Sequence, residues 1–316
     1  MLVESLEARQ LMSASLDPVT KVLTINGSTR NDVITVSKVG DQLKVTENGV
    51  SKLFTASKVG RIKAFGNAGV DRITVDQAVT TPAELHAGPG GGGFFPETEV
   101  LRGGGGNDTL YADGSNALID LYGGGGNDTL YASKSEGLAD GGSGNDTIYL
   151  QASYVQAFGG TGNDRFVVQR MDGSTINGGS GQDTADFSGQ SVNLRIGNAS
   201  ALTAKGFSPY SGADTPNPSD PADYNGVHVG DDVEVLRGGR GSDRIFGGGI
   251  DNVLYGGAGS DVLNGGAGRD ALFGEDGNDV LISRDGAADF LSGGFGTDFG
   301  QKDDLDTTNG VEHFLK

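Results

Sequence analysis

The apolar and polar positions of this chain follow a nine-residue rhythm. From Gly238 it reads GGRGSDRIF, GGGIDNVLY, GGAGSDVLN, GGAGRDALF and GEDGNDVLI. One extra residue, Ser283, follows, then RDGAADFLS and GGFGTDFGQ, ending at Gln301. An earlier block has the same grammar at about twice the interval: GGGGNDTLY from Gly103 and again from Gly123, GGSGNDTIY from Gly141, GGTGNDRFV from Gly159 and GGSGQDTAD from Gly178. Segments such as ASKSEGLAD and LQASYVQAF fill the intervals, keeping the length and losing the Gly-Asp pattern. Two worn copies lie upstream, GSTRNDVIT from Gly27 and GNAGVDRIT from Gly66.

Each unit predicts a six-residue turn followed by a three-residue strand. Glycine at places one, two and four admits positive φ without steric cost. In the strand the middle residue points inward and its neighbours outward, by the two-residue period. Leu110, Leu130, Ile148, Phe166, Ile245, Leu254, Leu263, Leu272, Leu281 and Leu291 hold that inward place. One unit runs out and the next returns, so two units close one coil. No unit buries its apolar residue alone, so coils must stack. The expected fold is all-β: a parallel β-roll, or β-solenoid, of nonapeptide repeats with a β-rich N-terminal cap.

The rest of the chain divides around these blocks. Residues 1–16 read as a leader. Residues 17–100 form the cap with degenerate repeats, in which KVLTING and DQLKVTENG alternate apolar and polar. Residues 101–187 are the first roll block and 238–301 the second. Residues 188–237 are an irregular insertion carrying Pro209, Pro216, Pro218 and Pro221, and read as a surface loop. Residues 302–316, with VEHFLK, close the far end. Phe94 and Phe95, in a second insertion at 88–99, are expected to cap the roll.

Composition narrows the chemistry. The chain has 316 residues, 57 of them Gly, with 8 Pro, no Cys and no Trp. Collagen is excluded, because Gly does not fall every third residue. A flexible linker has no reason to keep register. The formal net charge of −19 repels nucleic acid and anionic membranes and attracts cations. No apolar run is long enough for a transmembrane helix. Stretches resembling GxGxxG are repeat turns with no crossover helix after them. The sequon at Asn107 arises because the repeat spells it. His86, His228 and His313 are isolated, without HExxH, and read as surface or cap residues; no GxSxG and no Cys nucleophile occur.

The acids stand in columns. In a two-unit coil, alternate turns share an edge, so Asp243, Asp261, Asp279 and Asp298 line up, with Asn252, Asp270 and Asp289 on the opposite edge. Asp108, Asp128, Asp146, Asp164 and Asp183 fall 20, 18, 18 and 19 residues apart, on a single edge. A two-edged ladder is expected in the second block and a mostly one-edged ladder in the first. Coils stack at roughly 4.8 Å. Two carboxylates that close repel by about 1 kcal/mol in water and roughly 3 at an effective dielectric near 20. Summed along a column, that rivals the ~5–15 kcal/mol stability of a domain. A hard cation between successive turns removes the problem. Carboxylates with backbone carbonyls, and no His or Cys, are the ligand set of Ca²⁺; Mg²⁺ fits worse because it demands octahedral geometry and holds its waters.

This grammar resembles the RTX, or haemolysin-type, calcium-binding nonapeptide repeat, strongly over about half the chain. The resemblance implies several Ca²⁺ ions between the turns of successive coils. Ligands would be Asp108, Asp128, Asp146, Asp164, Asp183, Asp243, Asp261, Asp270, Asp279 and Asp298, with turn residues Gly105, Gly125, Ser143, Gly144, Gly162, Gly241, Gly259, Gly268 and Gly277. Departures from the pattern at Ile250, Asn252, Arg284, Asp285, Ala287 and Gly300 mark weak or absent sites. The N-terminus, MLVESLEARQLMSAS, lacks the basic start and apolar stretch of a signal peptide. It reads as a short amphipathic helix and resembles the LEPR-XLL motif that opens large exported bacterial surface proteins. Leu6, Glu7, Arg9 and Leu11 match; Ala8 and Met12 depart.

The expected protein is therefore a non-enzymatic, secreted or cell-surface β-roll that binds calcium and folds as it does so. A cell-surface or matrix polysaccharide is a further candidate partner. One alternative is a solenoid hydrolase, lyase or epimerase acting on polysaccharide, which three-residue strands disfavour by leaving no wide groove. Another is an adhesin that binds a glycan or cell surface through the insertions.

Overall fold

A computed structural model of the protein describes residues 13–88, 98–113, 118–133, 137–170, 173–192, 194–197, 212–213 and 228–315. The leader, Phe94 and Phe95, and most of the insertion at 188–237 lie outside the described residues. Strands dominate; the helical segment among the described residues is a single 3-10 turn at Ala56–Lys58.

The strands lie in three sheets. One of 14 strands runs the length of the molecule; a 10-stranded sheet accompanies its N-terminal part and a 7-stranded sheet its C-terminal part. The chain alternates between the long sheet and one of the shorter ones, which makes the coil. Stacking is parallel and in register: Leu110 pairs with Leu130 and Leu130 with Ile148. Leu254 pairs with Leu272, and Leu272 with Leu291. All ten residues assigned to the inward place are fully buried. The core is thus built of facing files of mostly aliphatic side chains between two walls, a β-solenoid.

The solenoid begins well before residue 100. Val22–Asn26, Arg61–Phe65 and Ala83–His86 already stack in parallel and hand on to Thr109–Tyr111. The antiparallel strands Gln42–Glu47 and Val50–Thr55 extend the shorter sheet beyond Val33–Val39. At the other end Gly300 leaves a hole where an inward side chain belongs. A Cβ there would sit 2.9 Å from Val311 Cγ1 and 3.1 Å from Phe314 Cε1, so the tail fills the space from outside the repeat.

Two expectations about the repeat unit need correction. Strands of three residues are not the rule on both sides of the coil. Thr109–Tyr111 and Val262–Asn264 are short, but Leu118–Gly125 and Val253–Ala258 run on into the following glycine turn. The ladder continues there because third-place carbonyls accept fourth-place amides, as Ser143 O does from Gly126 N at 2.9 Å. First-place glycines also owe their presence to space and not to φ. Gly124 and Gly126 have φ of 107° and 104°, but Gly123 is not left-handed. A Cβ on Gly123 would meet Asp128 Oδ2 and lie 2.5 Å from the Gly141 carbonyl.

Candidate metal centre

The sixth-place aspartates form ladders built from their own backbones. Asp108 donates its N–H to Asp128 Oδ1, Asp128 to Asp146, Asp146 to Asp164 and Asp164 to Asp183, at 2.7–2.8 Å. On the opposite edge Asp243 donates to Asp261, Asp261 to Asp279 and Asp279 to Asp298, at 2.6–2.9 Å. The first block's edge continues past the insertion. Asp183 donates to Glu234, and farther on Asn252 donates to Asp270, Asp270 to Asp289 and Asp289 to Asp306. One Oδ of each acid therefore binds coil to coil.

The other oxygen is left over. Oδ2 of Asp108, Asp128, Asp146, Asp164, Asp183, Asp261, Asp270, Asp279 and Asp298 is buried without a hydrogen-bond partner. A buried, unpaired carboxylate oxygen is costly, so some compensating group is required. Burial raises Asp108 from an ordinary 3.8 to about 8, Asp128, Asp146 and Asp261 to about 7, and Asp183, Asp270 and Asp279 to about 6. Carbonyls converge on the same space. The point a Cβ of Gly103 would occupy lies 2.5 Å from Asp108 Oδ2 and 2.5 Å from the Gly123 carbonyl of the next coil. At Gly256 the corresponding distances to Asp261 Oδ2 and the Gly274 carbonyl are 2.5 and 2.7 Å. Orphaned carboxylate oxygens beside turn carbonyls fit a hard cation. No group of three or more acid or His side chains that could by itself hold a metal ion occurs among the described residues. Any cation on these edges would thus depend on the backbone of the turns for most of its ligands.

Several acids do not share this pattern. Asp243 accepts Gly239 N and Leu194 N, which occupies both of its oxygens. Asn252 accepts Gly248 N, and its amide points to the carbonyls of Val233 and Glu234. Asp289 is shared between Asp270 N and Ser283 Oγ, the residue that breaks the nine-residue register. Asp32 is taken up by Ser28 and Asn48. Asp71, in the worn unit from Gly66, keeps an unpaired buried Oδ2 and is raised to about 7 by burial.

The structure also holds residues that the nonapeptide register does not mark. Glu234, Asp306 and Glu312 prolong the acid columns. Their signal is an acid two residues before an inward place, as in Glu234-Val235-Leu236. Fifth-place asparagines form a second ladder: Asn127 N donates to Asn107 Oδ1, Asn145 N to Asn127 and Asn163 N to Asn145. His86 is not isolated. It stacks between Phe65 and Tyr111 at 4.8 and 4.5 Å, continues through Tyr131 and Tyr149, and bonds Asp113 and Glu84.

Fold and edges together define a class: a parallel β-solenoid whose glycine turns stack oxygen donors in columns. The family model of the RTX calcium-binding nonapeptide repeat (4 copies) matches residues 97–116, 120–136, 140–168, 228–249 and 246–281. These segments include Asp108, Asp128, Asp146, Asp164, Asp243, Asp261, Asp270 and Asp279 and leave out Asp183 and Asp298. The match implies a calcium-binding β-roll. No curated protein matches the chain.

Proposed function

We propose that this chain is an exported structural module whose roll is completed by Ca²⁺ held between successive turns. The ligands are the orphaned Oδ2 atoms of Asp108, Asp128, Asp146, Asp164 and Asp183 on one edge, joined farther along by Asp270, and of Asp261, Asp279 and Asp298 on the other. Carbonyls of turn residues such as Gly105, Gly125, Ser143, Gly144, Gly162, Gly241, Gly259, Gly268 and Gly277 supply the remainder. Asp243 contributes as a coil-to-coil brace more than as a ligand, because its oxygens are already in use.

The observation that carries this reading is the row of buried carboxylate oxygens without partners. Each is a desolvated acceptor in a chain whose net charge is already −19. A divalent cation supplies the missing charge and the missing partner at once. Export follows from the same chemistry. Extracellular modules bind Ca²⁺ with Kd of roughly 10⁻⁴–10⁻³ M. The chain would stay loose where calcium is scarce and fold where it is abundant. The absence of Cys leaves metal as the staple available to it outside the cell.

The test is circular dichroism and calorimetry in excess chelator and in millimolar CaCl₂, with native mass spectrometry to count ions. Calcium should convert a loose, weakly stable chain to a strongly cooperative β-rich fold with several ions bound. A fully β-rich, cooperative fold in chelator, with no added ions in calcium, would overturn the reading.

A further inference from the structure

A groove of about 390 Å³ opens on the outer face of the 10-stranded sheet, beside the glycine turns that lead to Asp108, Asp128 and Asp146. Its wall is a row of outward side chains held in register: Arg102 pairs with Tyr122, and Tyr122 with Asp140. Two residues farther along, Gly104, Gly124 and Gly142 form a parallel row without side chains, so the surface drops to bare backbone. Asp76 and Gln77 stand at the end of the groove. They belong to the turn Asp76–Thr81, DQAVTT, which lacks the glycine grammar of its neighbours.

The polar side chains here make no hydrogen bonds within the described residues, although the Arg102 charge acts on Asp140 and that of Asp140 on Asp146. Arg102 lies over Tyr122, its guanidinium carbon 3.8 Å from the ring centroid. The stack fixes the guanidinium plane and leaves its N–H edge free. No hydrogen bond or ion pair among the described residues engages the side chains of Arg102, Asp140, Asp76 or Gln77, or the Tyr122 hydroxyl. Elsewhere comparable side chains are paired: Arg165 with Asp186, and Arg61 and Lys63 with Glu84. The stack by itself is a packing device, since Arg237 sits over Tyr255 at the same 3.8 Å in the long sheet. What sets Arg102 apart is the groove and its unspent donors and acceptors.

Charge decides the class of ligand. A bare anion is repelled by Asp76 and Asp140, and a bare cation by Arg102. A neutral molecule dense in hydroxyls satisfies both: it donates to the carboxylates, accepts from the guanidinium and does both with Gln77. The volume falls in the range of ligand pockets, and the groove is partly open to solvent. We propose that this groove binds a neutral carbohydrate chain, through Arg102, Asp140, Asp76 and Gln77. The groove borders the turns proposed to hold calcium, but none of its four polar side chains is among the proposed metal ligands.

The experiment is saturation-transfer NMR on the full chain in millimolar calcium, with maltohexaose, cellohexaose, dextran and free amino acids as probes. Circular dichroism of the same samples separates loss of the fold from loss of the site. At least one neutral saccharide should bind, and Arg102→Ala and Asp140→Asn should each weaken it by about tenfold or more, as expected for losing a charged hydrogen bond. Arg237→Ala should leave affinity unchanged. Saccharide binding by none of the probes, binding indifferent to both groove variants, or capture of amino acids in place of sugars would each overturn the proposal.

Discussion

Asp128 donates its backbone N–H to Asp146 Oδ1 at 2.7 Å, while Asp146 Oδ2 is buried with no partner. One carboxylate thus has two separable duties, and two substitutions separate them. Asp146→Asn retains the Oδ1 acceptor and removes the buried charge. In chelator it should be as stable as the parent or more so; in calcium it should bind fewer ions and be less stable. Asp146→Ala also leaves the Asp128 amide unmet, at a cost of about 1–3 kcal/mol in either condition. Urea unfolding with and without calcium reads both. Identical behaviour of the Asn variant in the two conditions would remove the metal from the argument.

The same logic ranks the acids. Asp261 keeps an unpaired Oδ2, whereas both oxygens of Asp32 are occupied by Ser28 and Asn48. Asp261→Ala should therefore lower the number of bound ions and the affinity of the adjoining gaps. Asp32→Ala should leave the ion count unchanged and show itself as lost thermal stability. Isothermal titration of the two variants against CaCl₂ settles the order.

First-place glycines predict a steric result. Gly123→Ala drives a Cβ against Asp128 Oδ2 and the Gly141 carbonyl, with backbone on one side that cannot yield. It should cost about 1–3 kcal/mol, the usual range for overpacking. At Gly249 a Cβ meets nothing within 4 Å, so Gly249→Ala should fall within about 0.5 kcal/mol of the parent. Melting temperatures in saturating calcium compare the pair.

Much of this architecture is legible in the sequence because the repeat writes it many times over. The inward residues from Leu110 to Leu291 and the two-edged arrangement of the second block follow from a nine-residue period and an alternating strand. What a register cannot show is the competition for each oxygen. Asp243 and Asp261 occupy the same place in their units. Only the fold shows that Leu194 and Gly239 use up Asp243 while Asp261 Oδ2 stays free. Nor does the register reveal His86 in an aromatic stack, because Phe65, His86 and Tyr111 are brought together by coils of unequal length. The groove at Arg102 escapes for another reason: Arg102, Tyr122 and Asp140 precede the glycine turns, outside the repeat grammar, and only strand pairing sets them in one row beside Gly104, Gly124 and Gly142.

His86 carries its own pH dependence. The hydrogen bond to Asp113 raises it above the ordinary 6.5 in spite of burial, with Glu84 adding to the effect. A histidine raised by folding contributes stability that is complete below its unfolded value and fades as pH climbs through the higher folded value. NMR titration should place His86 above 6.5, and Asp113→Asn should bring it down. A value at or below 6.5 in the parent would mean that the Asp113 contact is not made in solution.

Calcium should also release protons. Without metal, burial holds Asp108 near 8 and Asp128, Asp146 and Asp261 near 7, against an ordinary 3.8. The folded chain then binds more protons than the unfolded one between about pH 4 and 8, so the stability of the metal-free fold falls as pH rises through that window. A cation needs the ionised carboxylate and must displace those protons. In weakly buffered solution at pH 6, CaCl₂ should acidify the sample in proportion to the ions bound. The release should shrink toward pH 9, where the acids are already ionised, and affinity should rise over the same range. Uptake of calcium at pH 6 without proton release would show that these acids are ionised before metal arrives, and that the turns are more open to water than their burial implies.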